Sequence, residues 1–457
     1  MRKTLIVLFS IAVAGCGSAD KDGKMNQGGK IRLMTLDPGH FHAALVQKSM
    51  YPEVDSVVHV YAPGGKELDA HMDLIELYNT REENPTSWDE KVYTGPDFVE
   101  KMLSEKPGNV VVLAGNNQKK TEYILQSVEE GLNVLADKPM AINTEDFRLL
   151  QKAFAVAEEK GLLLYDIMTE RYEINTLLQR EFSLLPDVFG TLEKGTLDNP
   201  AVTKESVHHF FKYVSGKPLI RPAWFFDVEQ EGDGIVDVTT HLVDLIQWEC
   251  FPDQVIDTSD VEMLAAKRWP TTLGISQFKK ATGEEKYPEY LQKDVEKDTL
   301  LQVYANGEMN YTINGVHAKV SVIWNFQAPE GTGDTHYSIM RGTKANLIIR
   351  QGAEQGYQPT LYIEPVTESG DYEQALKNSL KSIQANYPGV ELKKVAKGWE
   401  VVVPDKYKIG HEAHFSQVTT KYVQFLTEGT MPDWEVPNMI TKYYTTTKAL
   451  EMAKAND

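Results

Sequence analysis

The chain has 457 residues, enough for two or three domains with cores of their own. Its 47 Lys+Arg against 66 Asp+Glu leave a net charge of −19, which excludes a basic phosphate-binding surface and so a nucleic-acid partner. With 42% hydrophobic residues and ordinary Gly and Pro usage it is neither disordered nor fibrous, and two cysteines, Cys16 and Cys250, are too few for a disulfide framework or a thiolate metal site.

Residues 1–16 read MRKTLIVLFSIAVAGC: Arg2 and Lys3, then an apolar run from Leu5 to Ala14 too short to stay across a bilayer, which predicts an export signal. Its end, Val13-Ala14-Gly15-Cys16, resembles a bacterial lipoprotein signal. That resemblance implies lipid on Cys16 and an exported protein held to the membrane by the lipid alone, facing the periplasm or the cell surface. Residues 17–30 are small, polar and charged and are expected to form a flexible tether, with the folded body starting near Ile31. Cys250 is then left as a small buried apolar residue.

From Ile31 to Tyr165, β-branched runs at Ile31–Leu36, Val57–Tyr61, Val110–Leu113, Val134–Ala136 and Leu162–Tyr165 alternate with helix-period segments. This predicts an α/β domain, 31–165, with a parallel, Rossmann-like sheet. Its last helix is expected to be capped by Asn143, to bury Leu150, Phe154 and Ala157, and to stop at Gly161. Ligands of such sheets bind beyond the carboxyl ends of the strands. After the first strand stands Asp37-Pro38-Gly39-His40-Phe41-His42, in which only Gly39 matches a dinucleotide-binding glycine turn. After the second comes Ala62-Pro63-Gly64-Gly65 with no acidic residue for a ribose, so the choice between NAD and NADP stays open.

The stretch VVVLAGNNQKKTEYILQSVEEGLNVLADKPMAINTEDF from Val110, with Asn116-Asn117 and Asp137-Lys138-Pro139 at two strand exits and Glu170-Arg171-Tyr172 after a third, resembles the glucose-fructose oxidoreductase, inositol dehydrogenase and rhizopine-catabolism (Gfo/Idh/MocA) family. Residues 231–244, EGDGIVDVTTHLVD, resemble its second signature, with Asp237, His241 and Asp244 in place and Glu231 and Asp233 where glycines are usual. The likeness covers residues 31–250 and suggests an exported lipoprotein branch with a divergent C-terminal domain. It implies NAD, or NADP, tightly bound by Gly39, His40, Phe41, Ala62, Gly115, Asn116, Asn117, Lys138 and Arg171. It implies a carbohydrate held by Lys138, Arg171, Trp224, Asp237, His241 and His411. Catalysis falls to His241 as base with Lys138 as electrostatic partner, the reverse assignment being the alternative, and Asp237, one helical turn away, either orients the imidazole or joins it in holding a sugar hydroxyl. Burial is expected to lower the pKa of Lys138. No metal is expected, since neither His208-His209 nor His411-Glu412-x-His414 has further ligands at zinc spacing and the family needs none.

Residues 166–457 are expected to form an α+β domain with an open, mostly antiparallel sheet that binds substrate and makes homo-oligomers. Its strands are predicted at Val188–Leu197, Ser206–Val214, Thr299–Tyr304, Asn310–Ile313 and Lys319–Trp324, with insertions at 370–405 and Lys279–Lys297, the latter a flexible loop. The function implied is oxidation of a carbohydrate hydroxyl, at C3 by family analogy. The alternatives are a redox-neutral NAD-dependent glycosidase and a non-catalytic carbohydrate-binding lipoprotein.

Overall fold

A computed structural model describes residues 29–214 and 217–456, so the leader, Cys16 and most of the tether lie outside the described residues. Among the described residues no helix is long and apolar enough to cross a membrane. The first half alternates as β1 (Leu33–Leu36), α1 (His42–Val46), β2 (Val57–Ala62), α2 (Lys66–Thr80), β3 (Asp89–Thr94), α3 (Phe98–Glu105), β4 (Val110–Leu113), α4 (Lys120–Glu129), β5 (Asn133–Asp137), α5 (Thr144–Lys160) and β6 (Leu164–Ile167). The six strands form one parallel sheet in the order β3-β2-β1-β4-β5-β6. Strands β1, β4, β5 and β6 are buried along their whole length, which is why they read as unbroken apolar runs. Helix α5 begins as its sequence predicts, with Asn143 accepting from the amides of Glu145 and Asp146, and ends on Gly161 at φ 64°. Strand β3, DEKVYT, was not anticipated: it is a charged edge strand with no buried residue and no apolar pattern to give it away.

The second half adds α6 (Ile174–Ser183), β7 (Val202–Phe211), a short hairpin of β8 (Tyr213–Val214) and β9 (Lys217–Pro218), α7 (Thr239–Cys250), β10 (Val261–Gly274), α8 (Ile275–Thr282), β11 (Val295–Glu296), β12 (Leu300–Ile313), β13 (Val316–Gln327), β14 (Thr335–Arg341), β15 (Ala345–Arg350), β16 (Thr360–Pro365), α9 (Gly370–Asn386), β17 (Glu391–Val395), β18 (Gly398–Val402), α10 (His411–Glu428) and α11 (Glu435–Ala455). The large sheet runs β10-β12-β13-β7-β14-β15-β16-β18-β17, with β11 beside β12; every pairing is antiparallel except β13 with β7.

Four expectations fail here. The strand expected at Val188–Leu197 is absent: Gly190 and Gly195 have φ of 78° and 65°, and only the bridges Leu192–Gly342 and Gly195–Pro200 form. The runs Thr299–Tyr304 and Asn310–Ile313 are parts of the single strand β12, which pairs with the unforeseen fourteen-residue β10. The segment Lys279–Lys297 is no free loop, since Tyr287 and Leu291 are buried and the Tyr287 hydroxyl donates to the carbonyls of Leu273 (3.0 Å) and Thr299 (2.9 Å). Cys250 is half-buried against the second core rather than fully buried.

Helices α10 and α11 return to the first domain: Phe415, Val418, Tyr422, Met439 and Tyr443 complete its core. The two halves meet around a buried group of charges. Arg171, in the turn after β6, donates through Nε and Nη2 to both oxygens of Asp244 on α7 (2.6 and 2.7 Å) and through Nη1 to Glu435 (3.1 Å). Lys442 of α11 reaches Asp244 (2.8 Å) and Asp166 (2.7 Å), and Tyr443 donates to Asp166 (2.8 Å). Although burial disfavours its charge, Arg171 and Lys442 hold the Asp244 carboxyl well below the usual carboxylate range. From the sheet side Lys204, wholly buried, donates to Glu249 of α7 (2.8 and 3.0 Å).

Two outcomes follow. Lys442→Met leaves Asp166 and Asp244 short of a cation and is expected to lower unfolding stability by about 3–5 kcal/mol, measured by denaturant titration at neutral pH. Glu170, beside Arg171, is pushed up to about 7 by burial and by Glu173. Folding therefore takes up a proton between about pH 4.3 and 7, and the stability this contributes is lost as the pH rises through that window. Glu170→Gln should gain on the order of 1–3 kcal/mol over the parent protein at about pH 8 and almost nothing at or below about pH 4, as read from paired melting curves.

Candidate active site

Lys138 leaves the end of β5 on the cis Lys138-Pro139 bond, and its Nζ donates to Oδ1 of Asp237, 99 residues further on. Asp237 sits just before α7, held by the bond from its amide to the carbonyl of Asp233 (3.1 Å). Burial works against the Lys138 charge, yet Asp237 and Asp137 raise its pKa above the ordinary lysine value. The expected lowering is therefore corrected: this ammonium stays charged, because two carboxylates outweigh desolvation. His241, on the first turn of α7, goes the other way, as burial and then Lys138 and His411 hold its pKa well below the usual histidine range. Its Nδ1 is buried without a partner. Asp237 thus spends its carboxylate on Lys138 rather than on orienting the imidazole, a second correction.

The turn after β1 packs histidine on histidine. The His40 and His42 ring centroids are 4.0 Å apart, His411 of α10 lies 5.4 Å from His42, and His42 Nδ1 is 2.8 Å from Asp137 Oδ2. Burial above all, then neighbouring imidazoles and Lys138, keep His40 and His42 far below the usual histidine range, so both rings are neutral. Phe41 begins α1 and packs on both rings at 4.5 Å. Gly39 is needed for close approach: a methyl on it would lie 3.3 Å from the Asn116 amide and 3.5 Å from the Trp224 ring, and one on Gly115 would meet the Asp37 carbonyl at 2.3 Å. Ala62 ends β2, where its carbonyl accepts from Gly95 (3.3 Å).

A narrow cleft with room for about one water molecule opens between the large sheet and the segment before α7. Its walls are Phe210, Phe225, Trp324 and Val303, and its polar groups are Asp237 and Glu231. Trp224 is buried beside Phe225 and joins this aromatic cluster to the Gly39 turn. Glu231, read from sequence only as a missing glycine, is a functional candidate that the reading overlooked. Asn117 Nδ2 donates to its carbonyl (2.8 Å) and to Oε2 (3.1 Å), and burial together with Asp237 keeps its carboxyl well above the usual carboxylate range. The signal was there, in an acid standing where the resembled signature has glycine.

The structure pairs Lys138 with Asp237 and Asn117 with Glu231, and brings His241, His40 and His411 within electrostatic reach of Lys138. Arg171 is different, because its guanidinium is taken up by Asp244 and Glu435, which places it as a clamp between the domains. A dinucleotide fits the crevice at its nicotinamide end. Asn117 Oδ1 and His241 Nδ1 are orphaned there, and a narrow cleft lies between Asp37, Gly115, Asn116 and Tyr123. At the pyrophosphate end the fit is sparer: the amides of Gly39 and His40 both donate to the Ala114 carbonyl (3.2 Å each), and that of His42 to His40 Nδ1 (3.3 Å).

Known proteins can now be set beside this geometry. Residues 38–165 match the model described as "Oxidoreductase family, NAD-binding Rossmann fold", and residues 178–454 match "Putative oxidoreductase C terminal domain". No curated protein sequence matches the chain. An oxidoreductase from Parabacteroides merdae is 58% identical, with a TM-score of 0.92 over 94% of this chain and 99% of its own. Two further structures share the fold alone. A 3-ketoreductase from Actinomadura kijaniata in complex with NADP is 14% identical, with a TM-score of 0.55 over 93% of this chain and 98% of its own. Levoglucosan dehydrogenase is 12% identical, with a TM-score of 0.61 over 94% and 98%. The chain belongs to the Gfo/Idh/MocA oxidoreductase family, with an NAD-binding Rossmann domain followed by that family's oxidoreductase C-terminal domain.

Proposed function

We propose that the protein is a lipid-anchored NAD(P)-dependent oxidoreductase that oxidises a hydroxyl, at C3, of a glucoside or related carbohydrate. The observation that carries this reading is the convergence of a charged lysine from β5, a carboxylate from the entry to α7 and a neutral histidine one turn on. The aromatic walls of the adjoining cavity suit the C–H faces of a sugar, and Asp237 and Glu231 suit its hydroxyls. Two proteins of the same fold, a 3-ketoreductase and levoglucosan dehydrogenase, bear names of matching chemistry. Anchorage and export rest on the leader ending at Cys16. Free nicotinamide cofactor is scarce outside the cytoplasm, so the proposal includes a cofactor that stays bound and is reoxidised in place by passing its hydride to a second keto-sugar or other carbonyl acceptor.

A bound nicotinamide dinucleotide supplies the hydride acceptor. Gly39, Asn116, Asn117 and Lys138 would hold it. His241 is the free base at neutral pH and takes the hydroxyl proton on Nδ1, the atom left without a partner. The Lys138 ammonium stabilises the charge that develops on the substrate oxygen, and Asp237 fixes the ammonium in place. His241→Ala should keep dinucleotide binding, followed by fluorescence, while turnover on a glycoside panel falls by about 10²-fold or more; unchanged turnover would remove the base assignment.

A second reading, a redox-neutral glycosidase, is favoured by Glu231. A carboxyl kept protonated inside the pocket can donate to the oxygen of a departing aglycone. That reading expects the purified protein to release free glycone and aglycone, and Glu231→Gln to stop the release. A keto-glycoside with its aglycone still attached supports the first reading instead.

A further inference from the structure

We propose that His40, His42 and Asp137 form a binding site for one divalent transition-metal cation, zinc foremost, at the carboxyl ends of β1 and β5. The sequence gives no hint of it, because two of the ligands are adjacent to the glycine turn and the third stands 95 residues away. In the fold, one ligand atom from each side chain lies within 4.8 Å of both others. Around a tetrahedral ion with bonds of about 2.1 Å, ligand atoms sit roughly 3.4 Å apart, so closing the set takes side-chain rotations of about 1 Å.

The bonds the ligands now make are with one another and can be replaced by an ion. Lys138 is already held by Asp237, and the Asp137 carboxylate has the His42 ring as its neighbour at 2.8 Å. The main chain under Asp137 is fixed by Lys120, whose Nζ donates to the Asp137 carbonyl (3.1 Å). His40 Nδ1 accepts only the long 3.3 Å bond from the His42 amide, and little is lost when that ring turns a lone pair to an ion. Aromatic packing by Phe41 and Phe415, each 4.5 Å from His42, orients the imidazole.

The donor set names the metal class. Two imidazoles with one carboxylate suit zinc, manganese, iron or cobalt, whereas calcium and magnesium favour all-oxygen cages. Three protein ligands leave a position open for water or a substrate oxygen, and His411, with its ring 5.4 Å from His42, borders that position. Next to Lys138, an ion there would polarise a substrate hydroxyl or carbonyl oxygen as a Lewis acid. The site does not depend on the hydride-transfer reading, which stands if no metal binds.

Cobalt makes the test visible. Chelator-treated full-length protein is titrated with Co²⁺ alone, following its visible d–d absorption, and then with Zn²⁺. The expected result is one saturable equivalent per chain that Zn²⁺ displaces, with affinity lowered by about 100-fold or more in both His40→Gln and Asp137→Asn. Far-UV circular dichroism checks the fold of each variant, and a variant that unfolds leaves the decision to the other. No saturable band up to about 1 mM Co²⁺, or a band that persists unchanged in a folded variant, overturns the proposal. Dinucleotide binding by the same chelated protein is read separately by fluorescence. Loss of cobalt binding with dinucleotide retained fails the metal site alone, and the converse fails the oxidoreductase reading alone.

Discussion

The arrangement of the site depends on how five charged side chains share one buried space. Asp166, Asp244 and Glu435 supply three negative charges, and Arg171 and Lys442 supply two positive ones, all of them buried. Ions removed from water cost several kcal/mol each, and attraction offsets that cost only where geometry is close and hydrogen bonds are complete. Here the Arg171 fork meets both oxygens of Asp244, and Tyr443 and Tyr165 donate to Asp166 and Glu435. Such a cluster adds little net stability over a packed apolar one, but it admits one register. Helix α7 is pinned to the end of β6 by Asp244 and to the large sheet by Glu249, so His241, on the same helix, has its position set from both sides.

That register gives the two chemical groups opposite protonation. Lys138 and His241 are both partly buried, and desolvation works against the charged form of each. Asp237 and Asp137 keep the lysine charged, and the charged lysine in turn helps keep the histidine neutral. A cation beside a free base is the pairing that removal of a hydroxyl proton calls for. Glu231 extends the pattern, since burial and then the Asp237 carboxylate that holds Lys138 raise its pKa well above the usual carboxylate range.

Much of this was legible in the chain, for physical reasons that differ by element. Buried parallel strands such as VVVL and NVLAD read as apolar runs because both faces are covered, and Asp137-Lys138-Pro139 is recognisable because it stands at such a strand's exit. Edge strand β3 carries charges on an exposed surface and leaves no periodic trace. Val188–Leu197 is rich in strand formers, but two left-handed glycines break it. Arg171 could be placed near the site by its neighbours in sequence, whereas its partners Asp244 and Glu435 lie 73 and 264 residues away and nothing local announces them. The histidine cluster is hidden in the same way, since His40 and His42, Asp137 and His411 come from three distant segments.

The order in which the junction's charges are synthesised sets the order in which the molecule can close. Asp166, Arg171 and Asp244 exist long before Lys442, which follows Asp244 by 198 residues. Until that lysine is made, two aspartates have a single cation between them, and the first domain lacks the aromatic side chains that α10 and α11 contribute to its core. Both cores draw on side chains from the last helices. The crevice between the two halves is therefore complete only once the last two helices, made at the very end of synthesis, have docked.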